Sequence, residues 1–443
     1  MATQPALLLS PADVAQLSPA DRAAYLNGKQ LSPIEQAALT RAMTQQRHAR
    51  NAQYMGLGVR GKASCPNANG PGITQNYTAG QTLIWNIPQK NSGWVKGIWI
   101  TANLTVACAA GTGGAYVANA GAPYNVFGEF DVNYNGPQWR MPFYFIKPLS
   151  QMFGFQRPAP GVVIAGSSDS QVQAFADNGV TTNVGNNTWA FKVFVPFNMA
   201  NERLPYGMLP MYGTQGSLPQ VKLFCQSTSM GNDPLTNPVA TTAGTGVSVT
   251  ITGTVQVDCE YLDSTNYAGP DPLTLDITGD PTVQVYWDST YQPWPANTLQ
   301  RVFLQNKNRH FIVMSVLIDA QLSTKFCAVN NFVALEFAQD NVGSDTFWKY
   351  ALDTNVSIQD YFMDKRRVYG QDLDAGVIVW LDGPTHGLQD PSSHDSGTWL
   401  DMRKGWPSAS IAAQVTTIGA LAGVTPRLET IVVTFNDDGL RVL

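Results

Sequence analysis

A chain of 443 residues exceeds what one ordinary hydrophobic core serves, so two or more domains are expected. Hydrophobic residues make up 44% and charged residues only 13%, about half the usual share of roughly 25%. A net charge of −5 excludes a chain that grips nucleic acid by its overall field. The scarcity of charge also points to outer surface buried against other subunits, because interface centres are depleted in charge.

The polar deficit is filled by Asn, Gln, Ser, Thr, 39 Gly and 28 Pro, a mixture suited to many strands joined by turns. Cys65, Cys108, Cys225, Cys259 and Cys327 are odd in number and far apart, with no C-x-x-C pair. Buried free thiols and a cytoplasmic folding compartment are the expectation. The apolar run at residues 6–9 is too short for a signal peptide and lacks a basic flank, and no stretch reaches transmembrane length.

Residues 1–73 read as an N-terminal helical arm. A phrase recurs three times, as Leu9-Ser10-Pro11-Ala12-Asp13, Leu17-Ser18-Pro19-Ala20-Asp21 and Leu31-Ser32-Pro33-Ile34-Glu35. Each is a helix start: a serine hydroxyl for an orphan N–H, a proline where no donor is needed, and a carboxylate at the positive end of the dipole. Two short helices and a longer one over about 33–50 are predicted. No acid occurs from 36 to 62, while Arg41, Arg47, Arg50, Arg60 and Lys62 are basic, which marks these five as candidate membrane-facing residues.

Residues 74–262 change to a period of two. Ile98, Ile100, Ala102, Leu104, Val106 and Cys108 alternate with Trp99, Thr101, Asn103, Thr105 and Ala107. Val126, Phe130 and Val132 share one face, as do Trp189, Phe191, Val193 and Val195. The longest run sets Val249, Ile251, Val255, Val257, Cys259 and Tyr261 against Thr250, Thr252, Thr254, Gln256, Asp258 and Glu260. These are half-buried antiparallel strands.

Residues 263–281 read as a linker, punctuated by Gly269-Pro270-Asp271-Pro272 and Gly279-Asp280-Pro281. Strands resume over 282–443, at 283–287, 311–320, 332–337, 377–381 and 431–435. A helix is inserted among them. Ser357-Ile358-Gln359-Asp360 is a capping box, Ile358, Tyr361, Phe362, Val368 and Tyr369 form an apolar stripe, and Gly370 stands at the stop. The fold class is therefore all-β, in two domains.

Signals for chemistry are sparse. His386 and His394, with Asp382, Asp390, Asp395 and Asp401, could gather metal ligands, but their spacing in a Gly/Pro/Ser-rich stretch favours a solvated loop. His48 and His310 stand apart. No G-x-S-x-G elbow, P-loop or catalytic cysteine setting occurs. Asp345, Asp353, Asp360, Asp364, Asp372, Asp374 and Asp382 would supply a glycosidic acid pair, yet they flank the predicted helix, whose solvation accounts for them. No enzyme and no cofactor is expected. The competing reading is a secreted carbohydrate-binding or glycosidic β-sandwich whose tryptophans line a sugar platform.

The order of parts resembles the double jelly-roll major capsid proteins of tectivirus-like bacteriophages, whose virions contain an internal membrane. Gly93-Trp94-Val95-Lys96-Gly97-Ile98-Trp99-Ile100 is similar to the family's early strand, and Phe191-Lys192-Val193-Phe194-Val195-Pro196-Phe197 to its aromatic strand ending in Val-Pro. Leu218-Pro219-Gln220-Val221-Lys222-Leu223-Phe224 resembles the strand after it, and Asp258-Cys259-Glu260-Tyr261 the close of the first jelly roll. Residues 358–370, followed by Asp374-Ala375-Gly376-Val377-Ile378-Val379, resemble the family's basic helix and next strand.

The resemblance implies two consecutive eight-stranded jelly rolls and a homotrimer with pseudo-hexagonal outline in an icosahedral virion shell. It implies contacts with neighbouring capsomers, minor capsid and vertex proteins, and internal membrane lipids met by the arm. It implies folding and assembly in the host cytoplasm, with no specific nucleic-acid partner. The threefold Ser-Pro arm departs from the family's single N-terminal helix.

Overall fold

The structure, a computed structural model, describes residues 59–90, 93–109, 116–133, 137–152, 185–197, 208–211, 218–227, 231–241, 248–263, 282–289, 293–304, 309–321, 325–338, 346–351, 357–370, 372–382, 400–401 and 409–436. The three predicted Ser-Pro helices, with Arg41, Arg47 and Arg50, and nearly all of the predicted linker lie outside the described residues.

The first half holds β1 (Val59–Ser64), β2 (Thr74–Asn76), β3 (Thr82–Asn86), β4 (Gly93–Ala109), β5 (Tyr116–Ala118), β6 (Phe127–Asn133), β7 (Pro137–Pro142), α1 (Ile146–Met152), β8 (Gly185–Pro196), β9 (Leu209–Pro210), β10 (Gln220–Cys225), β11 (Val239–Thr241) and β12 (Ser248–Asp263). The second holds β13 (Thr282–Ser289), β14 (Gln300–Phe303), β15 (Arg309–Ile318), β16 (Phe332–Ala338), β17 (Thr346–Ala351), α2 (Ile358–Tyr369), β18 (Val377–Asp382), β19 (Leu400–Asp401), β20 (Ser410–Val415) and β21 (Arg427–Asn436).

In the first half one sheet runs β1-β12-β4-β8, and facing it the order is β3-β10-β6-β7. In the second half the orders are β13-β21-β15-β18 and β14-β20-β16-β17. Numbering the eight main strands of each half in chain order, both halves read 1-8-3-6 and 2-7-4-5. That repeated order, two sheets closed by Greek-key crossings, is the jelly roll. The chain is a double jelly roll.

Side-chain parity explains the layers. On β4, Ile98, Ile100, Ala102, Leu104, Val106 and Cys108 are buried, while Trp99, Thr101, Asn103 and Thr105 look outward. The partner strand β12 does the same with Val249, Ile251, Val255, Val257 and Cys259. Trp139, Trp189, Phe130 and Phe143 fill the space between the sheets. All five cysteines are buried and free.

One boundary differs from the sequence reading, which ended the arm at residue 73. Residues 59–64 form β1, antiparallel to the last strand of the first half, from Val59 opposite Asp263 to Ser64 opposite Asp258. Gly61 and Ala63, which face the core side, are small, and that hides the alternation. A Cβ on Gly61 would meet the Tyr261 ring at 2.5 Å, so the aromatic ring supplies the volume that the glycine lacks.

The inserted helix is as its sequence dictates. Ser357 and Asp360 exchange capping-box bonds, and Gly370 closes the helix in the left-handed region at φ 71°. Ile358 and Tyr361 are buried, with Phe362 packed beside them.

Candidate functional site at the junction of the two halves

The two jelly rolls meet through backbone, apolar core and buried charge. β7 and β13 pair in parallel around Trp139 and Val285, so a single sheet runs without interruption from β3 to β18. Three strands beyond that joint are buried on both faces. On β15, Val313 and Leu317 belong to the core of the second half, whereas Ile312, Met314, Val316 and Ile318 belong to the core shared with the first. β18 divides in the same way, Ile378 and Trp380 against Val377 and Val379. So does β21, with Leu428 and Val432 against Ile431 and Val433. The shared core includes Phe143 and Phe145 from the turn before α1, and Ile146 and Leu149 from α1 itself. Tyr144 and Phe326 stack across the joint with ring centroids 5.0 Å apart.

Strands buried on both sides read as continuous apolar runs rather than alternations. The segment at 311–320, Phe-Ile-Val-Met-Ser-Val-Leu-Ile-Asp-Ala, is such a run. Read for that property, it would have located the junction from sequence.

Polar links close the joint. Lys147 on α1 meets Asp374 at 3.1 Å. Arg427 at the start of β21 binds Asp233 of the first half at 2.6 Å and Glu429 at 2.6 Å, and Glu429 also accepts from Trp287 Nε1 at 2.8 Å. Burial opposes the charge of Arg427, but Asp233 and Glu429 outweigh it and hold its pKa above the usual value.

Lys325 Nζ donates to Asn119 Oδ1 at 2.8 Å, and Asn119 Nδ2 donates to the carbonyls of Asp233 and Asn237. Burial pulls the Lys325 pKa below its usual value, against the nearby charge of Asp233. Burial raises Asp319, against the opposing Gln321 N–H and Asn331 amide. Among the described residues, the ion pairs Lys147–Asp374 and Arg427–Asp233 and the Lys325–Asn119 bond thus tie the two halves together.

Arg60 and Lys62 stand on β1 of the first sheet. Lys62 pairs with Asp258 at 3.6 Å and lies 5.4 Å from the centroid of the Trp99 ring. His386, His394, Asp390 and Asp395 lie outside the described residues, as do His48, Asp345 and Asp353. Asp401 is on β19, its backbone opposite Arg309. Asp382 is buried and accepts from Lys365 Nζ at 2.8 Å and Tyr369 OH at 2.9 Å. The other described acids of that group are engaged too: Asp360 in the helix cap, Asp364 with Arg367, Asp372 with Arg366 and Asp374 with Lys147. Among the described residues no three His, Cys, Asp or Glu side chains gather as a metal site.

No family model matches the chain, and no curated protein matches it in sequence. Solved structures do. The crystal structure of the STIV MCP is similar with a TM-score of 0.56 at 13% identity, covering 85% of this chain and 97% of that one. The atomic structure of Sulfolobus Turreted Icosahedral Virus gives a TM-score of 0.51 at 14% identity, covering 85% and 91%. The likeness is one of fold, and the chain resembles the double jelly-roll capsid proteins of the tectivirus-like lineage.

Proposed function

We propose that this chain is the major capsid protein of an icosahedral virion, a structural protein without enzymatic activity. The observation that carries the reading is the repeated 1-8-3-6 and 2-7-4-5 strand order in two halves locked into one body. A subunit with two like halves becomes six like units when three copies join, and six-sided capsomers tile a shell. The low charge content of 13% accords with surfaces buried between copies.

In this reading homotrimers contact neighbouring capsomers and minor capsid and vertex proteins, and shells assemble in the host cytoplasm over an internal membrane. The residues before β1 reach that membrane through Arg41, Arg47 and Arg50, each worth on the order of 1 kcal/mol near anionic headgroups. Negative-stain imaging of the purified, concentrated chain should show six-sided particles, and dispersed single chains would contradict the reading. In flotation assays, changing Arg41, Arg47 and Arg50 to Gln should weaken binding to anionic vesicles. Unchanged binding would remove the membrane role and leave the shell role standing.

A further inference from the structure

Lys325 is a buried amine that no carboxylate pairs with among the described residues. It is 8% exposed, and the Asp233 carboxylate, whose charge acts on it, is taken by Arg427 at 2.6 Å. Its Nζ donates instead to Asn119 Oδ1 at 2.8 Å, from the second half to the first. Asn119 directly follows β5, is 1% exposed, and is held at both ends of its amide. Its Nδ2 donates to the carbonyls of Gly231, Asp233 and Asn237 at 3.3, 3.0 and 2.8 Å, and its Oδ1 also accepts from the Ala120 N–H at 3.2 Å. The lysine is fixed through its backbone. It adopts φ 55°, in the left-handed region that non-glycine residues seldom enter, and strain of that kind gathers at functional sites. Its N–H donates to the Gln321 carbonyl and its own carbonyl accepts from the Asp319 N–H, both at 3.2 Å.

Burying an amine without a counter-charge is costly, and a neutral side chain would serve a plain hydrogen bond better. The same atoms are laid out for amide exchange. Burial pulls the Lys325 pKa below its usual value, which favours the neutral, nucleophilic amine. The Asn119 carbonyl carbon lies one C=O bond, about 1.2 Å, behind the oxygen that Nζ already touches. The Ala120 N–H stands at that oxygen, where negative charge develops during attack. Holding both reactants in one geometry is what makes so slow a reaction feasible, since effective molarities reach about 10⁵–10⁸ M.

We propose that Lys325 and Asn119 join in an isopeptide bond between the two jelly rolls. Nζ bonds to Cγ of Asn119, the Cγ–Nδ2 bond breaks, and the proton given up by Nζ leaves with Nδ2 as ammonia. Nothing is oxidised or reduced, and no co-reactant is consumed. The product is one neutral secondary amide in place of an amine and a primary amide, so the buried charge is gone. The bond links residues 206 apart in the chain and closes covalently the joint that strand pairing and ion pairs close without it. It goes beyond the shell role and does not depend on it.

The purified full-length chain, denatured and weighed by intact mass spectrometry, should be lighter than its sequence by one ammonia. Lys325→Met and Asn119→Ala should each have the full mass of their sequences. Trypsin should release from the wild type a branched peptide in which Lys325, uncleaved, carries the segment containing Asn119. A wild-type mass equal to its sequence overturns the inference. So does a loss of ammonia that persists in Lys325→Met, because that marks an asparagine cyclised on its own backbone. Should a variant not fold, the branched peptide of the wild type decides by its presence or absence.

Discussion

Arg427 sits between two carboxylates with its side chain 13% exposed, and Glu429 beside it is 4% exposed. Removing one member of such a group leaves uncompensated charge away from water, which costs roughly 3–5 kcal/mol. Arg427→Met should therefore lower unfolding free energy in urea by about that amount, and a loss under about 1 kcal/mol would show the joint to be solvated. Asp319 gives a pH signature. Its folded pKa lies above the unfolded value, so the folded state takes up the proton first as pH falls. Its contribution to stability then grows as pH drops through the folded pKa and levels off below the ordinary value near 3.9. Wild type should gain on Asp319→Asn between pH 7 and pH 4 in urea titrations; parallel curves would contradict this. At this level the sequence disclosed what depends on neighbours in the chain, such as the Ser357–Asp360 cap. It did not disclose Lys365, which ends buried against Asp382 through contact across the fold. The predicted buried thiols did emerge, because each cysteine occupies a small apolar core position.

Helix α2 shows what a single element contributes. The Ser357 hydroxyl accepts from the Asp360 N–H at 3.3 Å, and the Asp360 carboxylate accepts from the Ser357 N–H at 2.8 Å. Ser357→Ala should cost about 1 kcal/mol of stability, with faster amide exchange confined to the first turn of α2. Exchange spreading through β16 and β17 would mean that the helix holds the second sandwich together. Among strands, β4 and β12 were legible because one side of each is core and the other is water, so their sequences alternate. β1 was missed because Gly61 and Ala63 occupy its core-side positions. β15, β18 and β21 were found as strands, but their two-sided burial was not read from their unbroken apolar runs.

Across the molecule, pairing between distant strands carries the architecture. Nothing local specifies that β7 joins β13 in parallel, or that the first half ends by covering its own beginning at β1 and β12. Composition and alternation bounded the answer to two all-β domains, and the likeness of their ordered phrases to capsid proteins supplied the topology that the strand orders display. The joint then makes the two jelly rolls one body, which is the property a shell subunit requires, since independent halves could not hold a six-sided outline. The most direct test of the shell reading is the native mass of the purified chain, by size exclusion with light scattering at micromolar concentration in physiological salt. The account predicts three times the 48.0 kDa of a single chain, or larger assemblies of that unit. A homogeneous peak at 48.0 kDa would contradict it.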